Sequence, residues 1–354
     1  MTELMKDILK QPEVLSRSMQ NVLGSGRSSL EKAARIINEA EHVYITGIGS
    51  SWHAGMAVLS LFHASGRTLD LVEASEFLNF TQIARDSAVI VFSRSGKSIE
   101  IVNLLGQARQ AGARIIAITN TDQSPLAQAA EITLNPQAPF DHFVSVNMYS
   151  ALALAGGLLA ATALNIFDKA LSASLDRAFA ATQSMLDSWV RQIQGNSWFQ
   201  RDAATYFLAR SGSLASCHGA RLLWEEAAKA PATAMTTGGF RHGPQEIIAD
   251  GSRFGLWLDR ERMRDQDLAV AADIRKLGGK VMLVGQNVTS DIADLVFSLP
   301  EIPSLWQFLI DVIPAQLAAE HLSHIRGVDC DSFRICSYIV ENEYGLIREP
   351  IPRR

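Results

Sequence analysis

Short apolar runs alternate along this chain with longer segments whose apolar positions recur at helical spacing. The runs at 43–45, 69–72, 88–92, 115–118 and 132–134 predict five strands separated by helical patterns. Strands alternating with helices imply a parallel sheet covered on both faces. Gly112 marks a helix end before the fourth strand, and Thr119-Asn120-Thr121-Asp122 a polar loop after it. Upstream, residues 1–40 read as two amphipathic helices parted near Gly24-Ser25-Gly26.

The scheme then repeats. Two helices, 146–165 and 169–193, lead to a strand at 205–209, the turn Arg210-Ser211-Gly212-Ser213 and a helix over 215–229. Further strands are expected at 252–258 and 280–284, with a helix over 265–277 between them and Gly278-Gly279 ending it. A last helix is expected over 304–325. The shared βα order reads as a diverged duplication. The expected fold is α/β: two doubly wound domains with parallel sheets, each a three-layer α/β/α unit, plus N-terminal helices. The boundaries are helices over 1–40, a first domain over 41–165, a linking helix over 166–195, a second domain over 196–340 and a tail over 341–354.

Two strand-to-helix turns stand out. After the run at 88–92 comes Ser93-Arg94-Ser95-Gly96-Lys97-Ser98, a turn of hydroxyls and one glycine at a helix start. Such a turn aims N–H and O–H donors at one point beside the positive end of a helix dipole, which suits a phosphate. Its Gly-Lys-Ser ending invites an ATP-loop reading. That motif needs a glycine five positions before Gly96, where Val91 stands, so a small phosphorylated ligand fits better. The second turn, Thr46-Gly47-Ile48-Gly49-Ser50-Ser51, has Trp52 where a dinucleotide fingerprint wants its last glycine. Either turn alone reads as an ordinary loop; together they can flank one ligand at the carboxyl edge of a sheet.

Composition narrows the class. With 354 residues, 47% hydrophobic and 19% charged, the chain can bury sizeable cores. A formal charge of −5 and no basic cluster beyond Arg353-Arg354 argue against a nucleic-acid partner. Cys217, Cys330 and Cys336 show no metal spacing and read as reduced thiols of a cytoplasmic protein, and the first ten residues show no apolar signal region. Residues 144–167 carry no charge, but Ser145, Asn147, Ser150, Thr162 and Asn165 dilute the run. It is expected to be a buried or interface helix rather than a membrane span, with alanines and glycines suited to close packing in a homodimer.

For proton transfer, the pattern offers Glu226 at the end of the helix 215–229 and His242 in Arg241-His242-Gly243-Pro244. A carboxylate and an imidazole suit proton movement beside a carbonyl and the opening of a sugar ring. As alternatives, Glu225 and Glu226 read as solvated helix charges and His242 as a cap of Gly238-Gly239.

In order, the chain carries Asp7-Ile8-Leu9-Lys10-Gln11-Pro12, Gly49-Ser50-Ser51, Ala74-Ser75-Glu76-Phe77, Ser93 to Ser98, Asn120 to Leu126, Gly219-Ala220-Arg221 leading to Glu226, and His242-Gly243-Pro244. This order resembles the sugar-isomerase (SIS) family, especially the isomerase half of glucosamine-6-phosphate synthases and their stand-alone relatives. The resemblance implies two SIS domains and sites completed across a homodimer or a dimer of dimers. It implies that Ser51, Ser93, Arg94, Ser95 and Ser98 hold a sugar 6-phosphate, Arg94 standing where glutamine is usual. Ile48, Gly49, Ser50 and the stretch from Val144 to Val146 would line the sugar. Glu226 would shuttle a proton between C1 and C2, and His242, from the partner subunit, would act at the ring oxygen. No metal or organic cofactor is implied, because the adjacent carbonyl or imine stabilises the developing charge.

Departures from the family pattern limit the reaction. Its lysines are replaced by Met148, Leu223 and Tyr338, which argues against Schiff-base chemistry, and no glutaminase half accompanies the chain, which argues against ammonia transfer from glutamine. The expected activity is that of a deglycase or deaminase, or an aldose–ketose isomerase, on a 6-phosphorylated amino sugar or fructosamine. A non-catalytic sugar-phosphate-binding regulator is the alternative; retention of both Glu226 and His242 favours an enzyme. Tyr344, Arg348 and Arg353 in the tail are further candidates to cover a site.

Overall fold

The computed structural model describes residues 1–289, 291–343 and 345–346; Tyr344, Arg348 and Arg353 lie outside the described residues. The chain divides into two compact units. One comprises Arg17–Phe167 together with the segment from Ser332 onward, and the other Met1–Ser16 with Asp168–Asp331.

In chain order, α1 (Glu3–Leu23) runs through both units and α2 (Arg27–Glu39) follows. The first βα series is β1 (Val43–Gly47), α3 (Ser50–Ala64), β2 (Asp70–Glu73), α4 (Ala74–Phe80), β3 (Ala88–Phe92) and α5 (Ile99–Gln110). It continues with β4 (Arg114–Ile118), α6 (Pro125–Ala129), β5 (Ile132–Leu134) and α7 (Asn147–Ala163). The strands form one parallel sheet in the order β2-β1-β3-β4-β5. Every residue of β1 and β3 is buried, as a parallel strand covered on both faces requires. On one face Tyr44, Val89, Val91 and Ile115 pack with Phe77, Leu104 and Leu126. On the other, α7 lies against the sheet closely enough that a Cβ on Gly156 would meet the Phe92 ring at 2.5 Å.

The uncharged segment becomes α7, buried without a break from Asn147 to Ala161. A helix apolar on all sides belongs inside a core, and this one has no open face for a partner. Among the described residues, no helix is long and apolar enough to cross a membrane.

The second unit comprises α8 (Lys169–Ile193), β6 (Thr205–Ala209), α9 (Ser213–Glu226), β7 (Thr233–Thr236), α10 (Thr237–Phe240), β8 (Arg253–Trp257), α11 (Arg264–Lys276), β9 (Lys280–Gln286), β10 (Leu295–Leu299) and α12 (Ile313–Arg326). Its parallel sheet runs β10-β9-β8-β6-β7, so by position within each sheet both follow the order 2-1-3-4-5. That is a doubly wound order. The buried start of α1 is fixed here: the Asp331 carboxylate accepts the N–H groups of Glu3 and Leu4 at 2.8 Å each, and the Gln11 amide donates to Gln316.

Three elements differ from the sequence expectation. The edge strands β7 and β10 were not foreseen, because β7 is four residues long with exposed threonines and β10 is half-buried at alternate positions. The expected helix over 304–325 is two pieces, a 3-10 turn (Ser304–Leu309) and α12, whose first turn holds Pro314. Proline fits a first turn but would remove a hydrogen bond inside a continuous helix.

Candidate functional site

The first sheet has its topological switch point between β1 and β3. The connection after β1 leads to β2 on one side, and that after β3 leads to β4 on the other. Ligands of open α/β sheets bind outside the carboxyl ends of the strands at such a point. The segments Ile48–Ser51 and Ser93–Ser98 lie there.

Three hydroxyls organise the turn. Ser51 Oγ accepts the backbone N–H of Arg94 at 3.4 Å, Ser93 Oγ accepts that of Gly96 at 3.0 Å, and Ser95 Oγ accepts that of Lys97 at 3.2 Å. Each oxygen takes a loop N–H and keeps its own hydrogen to donate. All three serines are buried, at 3–8% exposure. Ser98 begins α5 without a side-chain capping bond, and Gly49 stands at the start of α3 with φ of 57°. Gly96 takes φ of 62° and lies against Ser124, whose Cβ an added methyl would approach to 2.6 Å. The carbonyl of Arg94 is held from below by the hydroxyls of Thr119 and Thr121, at 3.4 and 3.3 Å.

The Arg94 side chain is turned toward the C-terminal segment. Its Nη2 donates to the Tyr338 carbonyl at 2.8 Å and its Nη1 to the Phe143 carbonyl at 3.4 Å, while its guanidinium lies 4.0 Å above the Tyr338 ring centroid. Val340 O accepts the Ile99 N–H at 3.0 Å, so the same segment covers one donor at the start of α5. Burial, with smaller contributions from Glu73 and Glu343, holds the Glu100 carboxyl in the first turn of α5 above the ordinary range.

Val144 and Val146 are buried beside the start of α7. That turn is built by Asp141, which the sequence reading missed. Its buried carboxylate accepts the N–H groups of Val146, Asn147 and Met148 at 3.0, 2.7 and 3.0 Å. An aspartate six residues before a helix has no capping spacing, so only the folded loop reveals it.

Glu226 and His242 belong to the second unit, whereas the residues proposed for phosphate and sugar belong to the first. Glu226 is the last residue of α9 and half-buried; Lys229 Nζ donates to its carbonyl at 2.6 Å. His242 is exposed after α10, its N–H bonded to Gly239 O at 3.1 Å. As the crossover between parallel strands, α9 ends at the amino edge of the sheet, while His242 follows the carboxyl end of β7. The crossover topology thus sets them at opposite edges of this sheet. Leu223 and Met148, at positions where the family resemblance would place lysines, are core residues.

The second sheet repeats the switch point between β6 and β8, but its turn is bonded internally. Ser213 Oγ donates to Asp311 at 2.6 Å, Ser216 Oγ donates to the same carboxylate, and Trp257 Nε1 donates to Asp311 O at 2.8 Å. Burial pushes the Asp311 carboxyl up to about 7, against the pull of Ser213, Ser216 and Gln307. Arg210 in the same turn is bound to the buried Asp267 at 2.7 Å. The Asp311 carboxyl group thus takes up the hydroxyls of this turn. A cleft of about 730 Å³ beside α11, lined by Leu268, Arg275, Lys276 and Lys280 among others, contains none of the candidate residues. Among the described residues, no group of His, Cys, Asp and Glu could hold a metal ion.

Residues 36–163 match the SIS domain family. In an alignment 349 positions long that covers 94% of this chain, it is 26% identical to a Shouchella clausii protein named glutamine–fructose-6-phosphate aminotransferase (isomerizing). It spans 57% of that relative, little more than half the length of the curated proteins it matches. Among solved structures it is similar to the C-terminal domain of glucosamine-fructose-6-phosphate aminotransferase from Francisella tularensis, with a TM-score of 0.84 at 21% identity over 94% of this chain and 98% of that one. It is also similar to glucosamine-6-phosphate deaminase from Thermotoga maritima, with a TM-score of 0.80 at 18% identity over 96% and 99% of the two chains. At these identities the structural likeness establishes the fold.

Proposed function

Because residues 36–163 form a SIS domain and the chain is homologous to the isomerase half of glutamine–fructose-6-phosphate aminotransferase, we propose that it is a phosphosugar enzyme. Its substrate is a 6-phosphorylated amino sugar or fructosamine, and the second unit is a diverged SIS domain. The observation that carries this reading is the trio Ser51, Ser93 and Ser95, three buried hydroxyls with hydrogens to donate, gathered at the switch point. With Ser98 and Arg94 they hold the phosphate, while Ile48, Gly49, Ser50, Val144 and Val146 line the sugar.

Glu226 is the base. On a ketosamine it takes a proton from C1 and returns it to C2, and the electron pair of the nitrogen closes a C1 imine. Water adds to that imine, and the C–N bond breaks to leave the aldose phosphate and the amine. With oxygen in place of nitrogen, the same transfer interconverts ketose and aldose. The substrate brings its own amine, so core residues at Leu223 and Met148 are compatible with the chemistry. The placement of Glu226 and His242 at opposite edges of one sheet supports a homodimer in which His242 serves the partner's site at the ring oxygen. An odd set of three cysteines without metal-type spacing accords with a cytoplasmic protein.

The test is a thermal-shift screen of sugar 6-phosphates, fructosamine 6-phosphates and their unphosphorylated forms, followed by product analysis for ammonia, free amine and aldose–ketose exchange. Stabilisation by phosphorylated ligands with turnover is expected. Absence of any phosphate-dependent shift overturns the reading, and a shift without turnover of any ligand points to the regulator instead.

A further inference from the structure

Tyr338 is 36% exposed and is held by three contacts besides its partial burial. The ring lies 4.0 Å under the Arg94 guanidinium, its carbonyl accepts from Arg94 Nη2 at 2.8 Å, and its hydroxyl donates to the Asp141 carbonyl at 3.1 Å. Arg94 belongs to the turn Ser93–Ser98. Asp141 holds the N–H groups of Val146, Asn147 and Met148 and so shapes the turn proposed to line the sugar. One side chain from the C-terminal segment therefore joins the phosphate turn to the sugar turn.

We infer that Tyr338 is a positioning residue: it fixes the Arg94 guanidinium beside the phosphate turn and sets the distance between that turn and the loop Asp141–Val146. The inference rests on the phosphate reading above. Two backbone carbonyls take up donors on Nη1 and Nη2, and the ring covers one face of the guanidinium plane. With five N–H donors in a planar fork, arginine keeps others for an anion while it is clamped in this way. An unclamped arginine would have to lose its rotamer freedom on binding; a clamped one has lost it beforehand. The adjoining contacts keep the clamp in register, since Ile99 N–H donates to Val340 O at 3.0 Å and Asn103 Nδ2 to Glu343 at 2.8 Å.

The test is calorimetric titration of the full chain with fructose 6-phosphate and with inorganic phosphate, using the wild type, Arg94→Ala, Tyr338→Ala, their double variant and Tyr338→Phe. Tyr338→Ala is expected to weaken fructose 6-phosphate binding about tenfold, the scale of one lost cation–π contact and its clamp. In the Arg94→Ala background the same change should cost less than about twofold, because the residue acts through Arg94. Tyr338→Phe keeps the ring and removes only the tether to Asp141, so it should weaken fructose 6-phosphate severalfold and leave inorganic phosphate unchanged. It also serves if Tyr338→Ala melts early. Wild-type affinity in Tyr338→Ala, or losses that add in the double variant, overturns the inference and leaves the phosphate reading intact. A wild type that binds neither probe overturns both.

Discussion

Ser51 Oγ accepts the backbone N–H of Arg94 at 3.4 Å, joining two strand-to-helix turns that lie 43 residues apart in the chain. The bond crosses the switch point between β1 and β3. It places a third hydroxyl, from α3, beside the two that the loop before α5 supplies. A phosphate bound there, as proposed, would meet donors from two helix starts rather than one.

Filling this cradle should remove phosphate recognition alone. Ser95 is 8% exposed, so Ser95→Leu puts a branched apolar side chain where the anion would sit. Affinity for a sugar 6-phosphate should fall at least about tenfold, consistent with losing charge-assisted hydrogen bonds. Binding of the unphosphorylated sugar should stay within error. Calorimetry on both ligands decides it, and equal losses would remove the cradle from the phosphate role.

Gly96→Ala tests the backbone of the same loop. At φ of 62° a side chain is strained, and its methyl would press on Ser124, which caps α6 by accepting the Ala127 N–H. A loss of about 1–3 kcal/mol in chemical denaturation is expected, together with weaker phosphate binding. Unchanged stability would show that the loop adopts another conformation.

Glu226→Gln keeps the shape of the side chain and removes its basicity. Turnover should fall by about 10²–10⁴, the usual contribution of a positioned general base. Affinity for the phosphosugar should change by less than about threefold. Steady-state kinetics with a binding titration separates the two effects, and turnover at the wild-type rate would take Glu226 out of the mechanism.

Asp311 makes stability depend on pH. Its folded pKa is raised from 3.8 to about 7, chiefly by burial, so the protonated form is favoured in the folded state. Its stabilising contribution is complete below 3.8 and is lost as pH rises through about 7, at up to about 1.4 kcal/mol per pH unit between those values. In Asp311→Asn this component is absent. The melting temperature of the variant relative to wild type should therefore rise from pH 4 to pH 8. Glu100 and Asp267, also raised by burial, contribute equally to both proteins and cancel in the difference. A constant difference across that range would contradict the assignment.

Periodicity was enough to read most of the fold. The apolar runs that became β1, β3, β4, β6, β8 and β9 are central or near-central strands, buried on both faces, and burial on both faces writes a continuous apolar run into a sequence. The edge strand β7 leaves no such mark, because threonines serve there as well as valines. The hydroxyl-rich turns were legible only as a pair: either alone reads as an ordinary loop, and two at the carboxyl edge of one sheet suggest a ligand.

What the sequence by itself determined was local: which segments are strands or helices, and which loops carry hydroxyls, a carboxylate or an imidazole. The tertiary structure decided which of these meet. It brought Ser51 to Arg94, set Tyr338 beneath the Arg94 guanidinium, and placed Asp141 under the start of α7. It also matched the second unit's hydroxyl turn with Asp311, almost 100 residues away. Hydrogen bonds between residues so distant in the chain depend on how strands are ordered in a sheet, and periodicity carries no record of that order.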